Sequence, residues 1–200
     1  MARALPTTLE TSRLCLRPFR DEDRAPFAQM NADPLVMRFM PTTLTSDASD
    51  ALAERIRAHH DTDGFGLWAV EERERPGFLG FIGLSRPTFD APFTPCVEIG
   101  WRLAARVWGR GYATEGARAA LAFGFEQAGL DEIVSFTIEA NAPSWRVMRR
   151  LGMQRAEGED FDHPRVPEGH PFRRHLLYRL TRDAWRLAAT NAEVDRYDLG

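Results

Sequence analysis

The segment Val97-Glu98-Ile99-Gly100-Trp101-Arg102-Leu103, followed by Arg106-Val107-Trp108-Gly109-Arg110-Gly111-Tyr112-Ala113-Thr114-Glu115, constrains this chain more than any other. It reads as a strand, a glycine turn and the start of a helix. Glycines directly before a helix aim several unpaired backbone N–H groups at one point, and the helix dipole adds partial positive charge there. Such a turn can hold a pyrophosphate without a lysine. Arg106 and Arg110 could add charge-assisted hydrogen bonds to phosphate. A dinucleotide fingerprint would use the same physics. Here, however, Thr114 stands where G-x-G-x-x-G needs its third glycine, and antiparallel hairpins precede the turn. A glycine turn that merely rounds a tight corner is the plainer alternative.

Composition removes several chemistries. All 26 residues of the Lys+Arg total are arginine. A lysine Schiff base is therefore impossible, and so is a Walker A loop. A formal net charge of -3 argues against a nucleic-acid partner, which would need a basic stripe to displace counterions. Cys15 and Cys96 lie far apart with no C-x-x-C pairing, the pattern of free thiols rather than of a zinc site or disulfide framework. No signal-peptide pattern opens the sequence and no run approaches a membrane span, so a cytoplasmic protein without a membrane partner is expected.

The 200 residues are expected to form one domain, with a core over about residues 10–182 and a tail over 183–200. Alternation over Arg13–Phe19 marks a half-buried strand, and Asp21-Glu22-Asp23 opens a helix that Asp33-Pro34 stops. Ser46 or Asp47 can cap a second helix reaching His60. Strands are expected at Phe65–Glu71, Phe78–Leu84 and Val97–Leu103, where Gly80, Gly83 and Gly100 suggest bulges or close backbone approach. A helix over Tyr112–Ala128 should end at Gly129, followed by a strand at Glu132–Ile138. Asn141 opens a short helix with Pro143 in its first turn, and a last strand covers His175–Leu180. These elements make a mixed α/β domain with a largely antiparallel sheet.

The stretch Arg106-Val107-Trp108-Gly109-Arg110-Gly111 matches in full the acetyl-CoA loop [RQ]-x-x-G-x-[GA] of the GNAT acyl-CoA N-acyltransferases, which this chain resembles. Thr11-Ser12-Arg13-Leu14-Cys15-Leu16-Arg17-Pro18-Phe19 is similar to the opening strand of the Rim-like branch, which includes ribosomal-protein N-terminal acetyltransferases. Asn141-Ala142-Pro143-Ser144, ending in Leu151-Gly152-Met153, is similar to that branch's final CoA-contacting helix. The resemblance implies a GNAT fold of the α+β type, with a mostly antiparallel sheet of about seven strands, splayed in the middle, and about four helices. It also implies transfer of an acetyl group from acetyl-CoA to a primary amine of a small molecule or protein N-terminus, by direct attack in a ternary complex. No metal is implied, and a homodimer is compatible with it.

Residue by residue, the resemblance places the cofactor on Trp101, Leu103, Arg106, Gly109, Arg110, Gly111, Tyr112, Ala113, Thr114, Asn141 and Ser144. Glu98, on the strand lining the cleft, is the first choice for a base acting directly or through water; a solvated strand carboxylate is the alternative. Ser144 would sit near the thiol, as an acid or only to position CoA. Many family members carry a tyrosine seven residues after the helix-opening Asn, but here Met148 stands there. That loss motivates a rival reading, a CoA-binding sensor or interaction module that transfers poorly. Phe39, Met40, Trp68, Asp162 and His163 are candidates for the acceptor side, with Asp162 and His163 also weaker candidate bases. The acidic cluster of Glu157, Glu159, Asp160 and Asp162 is either a solvated loop or a feature favouring a cationic amine.

Overall fold

A computed structural model of the chain describes residues 8–188. In chain order its strands are β1 (Leu9–Glu10), β2 (Leu14–Arg17), β3 (Leu67–Glu72), β4 (Gly80–Ser85), β5 (Glu98–Leu103), β6 (Glu132–Thr137), β7 (Gln154–Arg155), β8 (Phe161–Asp162) and β9 (Arg174–Thr181). The helices are α1 (Arg24–Ala32), α2 (Ser46–Asp63), α3 (Tyr112–Ala122) and α4 (Ala142–Arg150), and residues 182–188 are also helical. One open sheet runs β1-β2-β3-β4-β5-β6-β9-β7, with β8 also on β9. Every pairing is antiparallel except β5 beside β6. This is the GNAT architecture implied above. Its segments exceed seven because β1, β7 and β8 are two residues long, too short to show alternation in sequence.

Alternation builds two cores. Leu14, Leu16, Trp68, Val70, Ile82, Leu84 and Ile99 pack with Ala117, Ala120 and Leu121 of α3 and Val147 and Met148 of α4. The opposite face buries Ala69 and Phe81 with Phe27 and Met30 of α1 and Ala53 and Ile56 of α2. The α2 cap differs from expectation: the Thr45 side chain accepts from the Ala48 N–H at 3.2 Å, which places Ser46 and Asp47 inside the first turn. The helix expected to reach Ala128 widens into a π-helical turn over Phe123–Gln127, after which Gly129 takes φ 69°. Gly80 and Gly83 do mark close approach. A Cβ at Gly80 would stand 2.1 Å from the Arg102 carbonyl oxygen, and one at Gly83 2.2 Å from that of Gly66.

One buried ion pair fixes the start of the chain against the sheet. Arg17 donates to Asp23 at 2.7 and 2.9 Å and to Glu71 at 3.0 Å, with Arg17 4% and Asp23 2% exposed. Removing Asp23 leaves the desolvated Arg17 guanidinium with Glu71 as its one remaining acid and the donors that faced Asp23 unsatisfied. Asp23→Ala is therefore expected to lose about 3 kcal/mol or more of stability in urea unfolding. A loss below about 1 kcal/mol would show that water reaches Arg17 in the variant and that the pair is ordinary surface chemistry.

Candidate active site

β5 and β6 pair only where Glu98 meets Val134. The Ser135 hydroxyl adds a 2.9 Å bond to the Ile99 carbonyl, and from Gly100 to Leu103 the strand keeps its pairing to β4 alone. The cleft beyond this point measures about 1180 Å³. Trp101 and Leu103 wall one side, and Gly109, Gly111, Ala113 and Thr114 form its glycine-turn end. Asn141, Pro143 and Ser144 close it from α4, while Phe39 and Met40 approach from the loop after α1.

Gly109 and Gly111 take φ 76° and 81°, a region closed to most side chains, and Gly111 is the N-cap of α3. A Cβ at Gly109 would meet nothing within 4 Å, and one at Gly111 only the Arg13 guanidinium at 3.5 Å. Backbone conformation rather than room therefore requires glycine in this turn. Glu115 staples the turn to the N-terminal strand, accepting from Thr11 Oγ1 at 2.6 Å, the Arg13 N–H at 3.0 Å and Arg13 Nε at 2.6 Å. Burial alone would raise its carboxyl, but these donors hold it below the usual carboxylate range.

Six arginines, Arg13, Arg38, Arg102, Arg118, Arg146 and Arg150, wall the cleft against a single acid, Glu115. They come from the turn before β2, the loop after α1, β5, α3 and α4, so no contiguous motif announces them. A four-residue spacing on one helix face does link Arg146 to Arg150. Two of the expected phosphate ligands point elsewhere. Arg106 donates to the Phe78 carbonyl at 2.7 Å, bracing the entry to β4, and Arg110 pairs with Glu72 at 3.2 Å. Neither wall of the cleft includes them. Tyr112 does line the cleft, with its hydroxyl donating to Glu72 at 2.6 Å. The Leu103 carbonyl accepts from the Trp108 indole at 2.8 Å, and Arg38 lies over that indole at 4.6 Å.

On α4, Asn141 accepts from the Ser144 N–H at 3.4 Å and donates to Thr137 Oγ1 at 3.0 Å, which fixes the helix start at the cleft wall. Met148, where a tyrosine was sought, is 1% exposed in the core. Glu98, Gly100 and Arg102 share the face of β5 opposite the buried Ile99 and Leu103. Burial pushes the Glu98 carboxyl up to about 8.

Trp68 is not an acceptor-side residue. It is fully buried between the His60 and Phe123 rings, because its parity on β3 points it at α3 while Ala69 faces α1 and α2. Asp162 is tied to Arg173 and Arg174 at 3.6 and 3.4 Å and lies outside the cleft wall. Two more members of the acidic cluster are similarly engaged, Asp160 with Arg155 and Glu159 with Arg179. His163 packs in a ring cluster with Phe89, Phe136, Phe161 and His175. Burial first, then the neighbouring His175 and Arg165, pull its imidazole down to about 4. Phe136 follows Val134 on the same face of β6, so this cluster borders the Glu98 side of the sheet.

A sheet opened between two parallel strands, with a glycine turn and helix N-terminus at the opening, is the architecture of the GNAT fold. Comparison with known proteins makes the class specific. An acetyltransferase (GNAT) domain matches residues 13–154, and the chain belongs to that family and is an acyltransferase enzyme. It is 31% identical over 190 residues to the "FsC-acetyl coenzyme A-N(2)-transacetylase" of Aspergillus fumigatus, covering 89% of this chain and 77% of that protein. An acetyltransferase structure from Agrobacterium tumefaciens superposes with TM-score 0.71 at 27% identity, covering 90% of this chain and 96% of that one. RimJ of Mycobacterium smegmatis, solved with CoA-disulfide, shares the fold at TM-score 0.72 and 21% identity over 96% of this chain and 98% of its own. Among the described residues, no helix is long and apolar enough to cross a membrane, and no cluster of three His, Cys, Asp or Glu side chains could hold a metal.

Proposed function

We propose that this enzyme transfers the acetyl group of acetyl-CoA to a primary amine by direct attack. The carrying observation is one cleft that joins an arginine-rich glycine-turn end to β5, whose first residue, Glu98, lies just beyond the residues that wall the cleft. The N–H groups of the turn and the α3 dipole would hold the pyrophosphate, with Arg13, Arg118, Arg146 and Arg150 supplying the counter-charge. The exposed edge of β5 from Gly100 to Leu103 offers backbone groups to an extended pantetheine arm, in the manner of an added strand. The name of the Aspergillus relative, which carries acetyl coenzyme A as donor, supports the same cofactor.

In the reaction, a nitrogen–carbon bond forms at the acetyl carbonyl as the carbon–sulfur bond breaks. Glu98 accepts the first proton from the incoming ammonium, and the second nitrogen proton passes to the departing sulfur. A carboxyl raised to about 8 is well matched to an amine that must give up a proton near neutral pH. Ser144 lines the cleft and would steady the sulfur as a hydrogen-bond donor; a hydroxyl is too weak an acid to do more. His163 stays neutral in its ring cluster, outside the residues that wall the cleft, and is a weaker base candidate than Glu98.

The test is release of free thiol from acetyl-CoA across peptide, amino-acid, polyamine and aminoglycoside amines. Turnover with at least one amine class is expected. Tight acetyl-CoA binding with no transfer to any of them would favour the sensor reading that Met148 raises. The same reading predicts that Ser144→Ala lowers kcat by about tenfold while changing acetyl-CoA affinity less than about threefold, since one neutral hydrogen bond is at stake. Unchanged kcat would leave the Ser144 hydroxyl with no part in the transfer.

A further inference from the structure

Two ionisable side chains on one face of β5, Glu98 and Arg102, have no ion-pair partner among the described residues. Arg102 donates to the Asn31 side-chain oxygen at 2.7 Å and lies over the Phe81 ring at 5.3 Å, while no carboxylate reaches it. Asn31 is fully buried and its amide nitrogen donates to Ser49, so it holds the guanidinium without cancelling the charge. Arg102 nonetheless lines the cleft, with most of its five donors left for something in it. Burial lowers the guanidinium to about 10, which leaves it cationic at neutral pH.

Glu98 lies four residues back on the same face, about 13 Å along the strand by extended-chain rise. Gly100 stands between them. Its missing side chain leaves bare backbone there, and the nearest atom to a Cβ at that point would be the Glu98 carboxylate oxygen at 3.9 Å. Along this face of β5 the proposed base thus stands at one end and an unpaired fork of donors at the other, with bare backbone between them, and of the three it is Arg102 that lines the cleft. A desolvated guanidinium with no internal counter-ion is costly to keep unless a ligand supplies the anion. Arginine forks match carboxylates in two-point geometry.

We infer that the acceptor is an amine that also carries a carboxylate, bound with the carboxylate on Arg102 and the amine toward Glu98. This rests on the transferase reading above and narrows its substrate class to amino acids and related amino-carboxylates. It disfavours polyamines and aminoglycosides, which bring only positive charge to Arg102.

The experiment compares matched sets: an amino acid, its carboxamide and the amine lacking the carboxyl group, each by acetyl-CoA thiol release. For at least one set, the acid should exceed the carboxamide in kcat/KM by at least about tenfold, the scale of a charge-assisted bond. Arg102→Gln should collapse that ratio toward one. Asn31→Asp, nearly isosteric, would place a carboxylate on Arg102 from inside and should lower the ratio without removing the guanidinium. Calorimetry with the N-acetylated product and its amide, on CoA-loaded protein, reads the same preference without turnover. Carboxamides or plain amines used as well as every acid would overturn the inference and leave the transferase standing. An acid preference that survives both substitutions would also overturn it. No thiol release with any amine would remove the transferase reading and this inference together.

Discussion

Glu98→Gln is expected to lower kcat by about a hundredfold at pH 7.5 while changing acetyl-CoA affinity less than about twofold, the scale of a single general base. The amide keeps the size of the side chain but cannot take a proton from the incoming ammonium. On the proposed reading the cofactor is held by the glycine turn and the arginines, so its binding should be spared. The loss should shrink above the amine's own pKa, where neutral acceptor is abundant without help. A stability signature accompanies it. Burial raises this carboxyl from its ordinary value to about 8 in the folded chain, so deprotonation favours the unfolded state. Wild-type stability should therefore fall as pH rises between about 4.5 and about 8, and the thermal advantage of Glu98→Gln should grow across that window. Full activity at every pH, with no such window, would make Glu98 an ordinary solvated strand carboxylate.

Gly111→Val is expected to weaken acetyl-CoA binding by well over tenfold in calorimetry. Gly111 holds φ 81° at the N-cap of α3, and a β-branched residue reaches that region only with strain. The turn would relax toward an extended path, and the N–H groups gathered there would no longer converge. Arg13 adds to the effect. Its guanidinium lies 3.5 Å from where the new Cβ would stand, and it binds the Arg110 carbonyl at 3.0 Å, so a shifted turn also loosens the Glu115 staple. Gly111→Ala should show a smaller loss in the same direction. A folded Gly111→Val protein with unchanged affinity would place the cofactor somewhere other than this turn.

What could be read from the sequence was mostly what is local. The glycine turn, the Asn141 cap and the Gly129 stop lie within a few residues of the elements they shape, and the structure has all three. Alternation gave the strands but not which face each side chain takes, and Trp68 shows the cost. Its period on β3 fits either face, and only the packing of α3 decides it. Arg106 shows a second limit. Position beside the turn suggested a phosphate ligand, but its long side chain finds the Phe78 carbonyl on the neighbouring strand. The arginine wall was out of reach for a third reason. Arg13, Arg118 and Arg150 converge from separate elements, and only the sheet order brings β2, α3 and α4 to one opening. Arg102 was in plain view within the quoted strand. Its meaning depends on the absence of an acid beside it, which a sequence rich in Asp and Glu cannot reveal.

The most direct measurement is a crystal structure of the protein with acetyl-CoA. The account predicts pyrophosphate on the N–H groups of residues 109–114, within reach of Arg13, Arg118 or Arg150. It predicts the pantetheine arm along the free edge of β5 from Gly100 to Leu103, and the acetyl group on the side of the sheet that carries Glu98. Cofactor bound away from the glycine turn, or an acetyl group on the far side of β5 from Glu98, would contradict it.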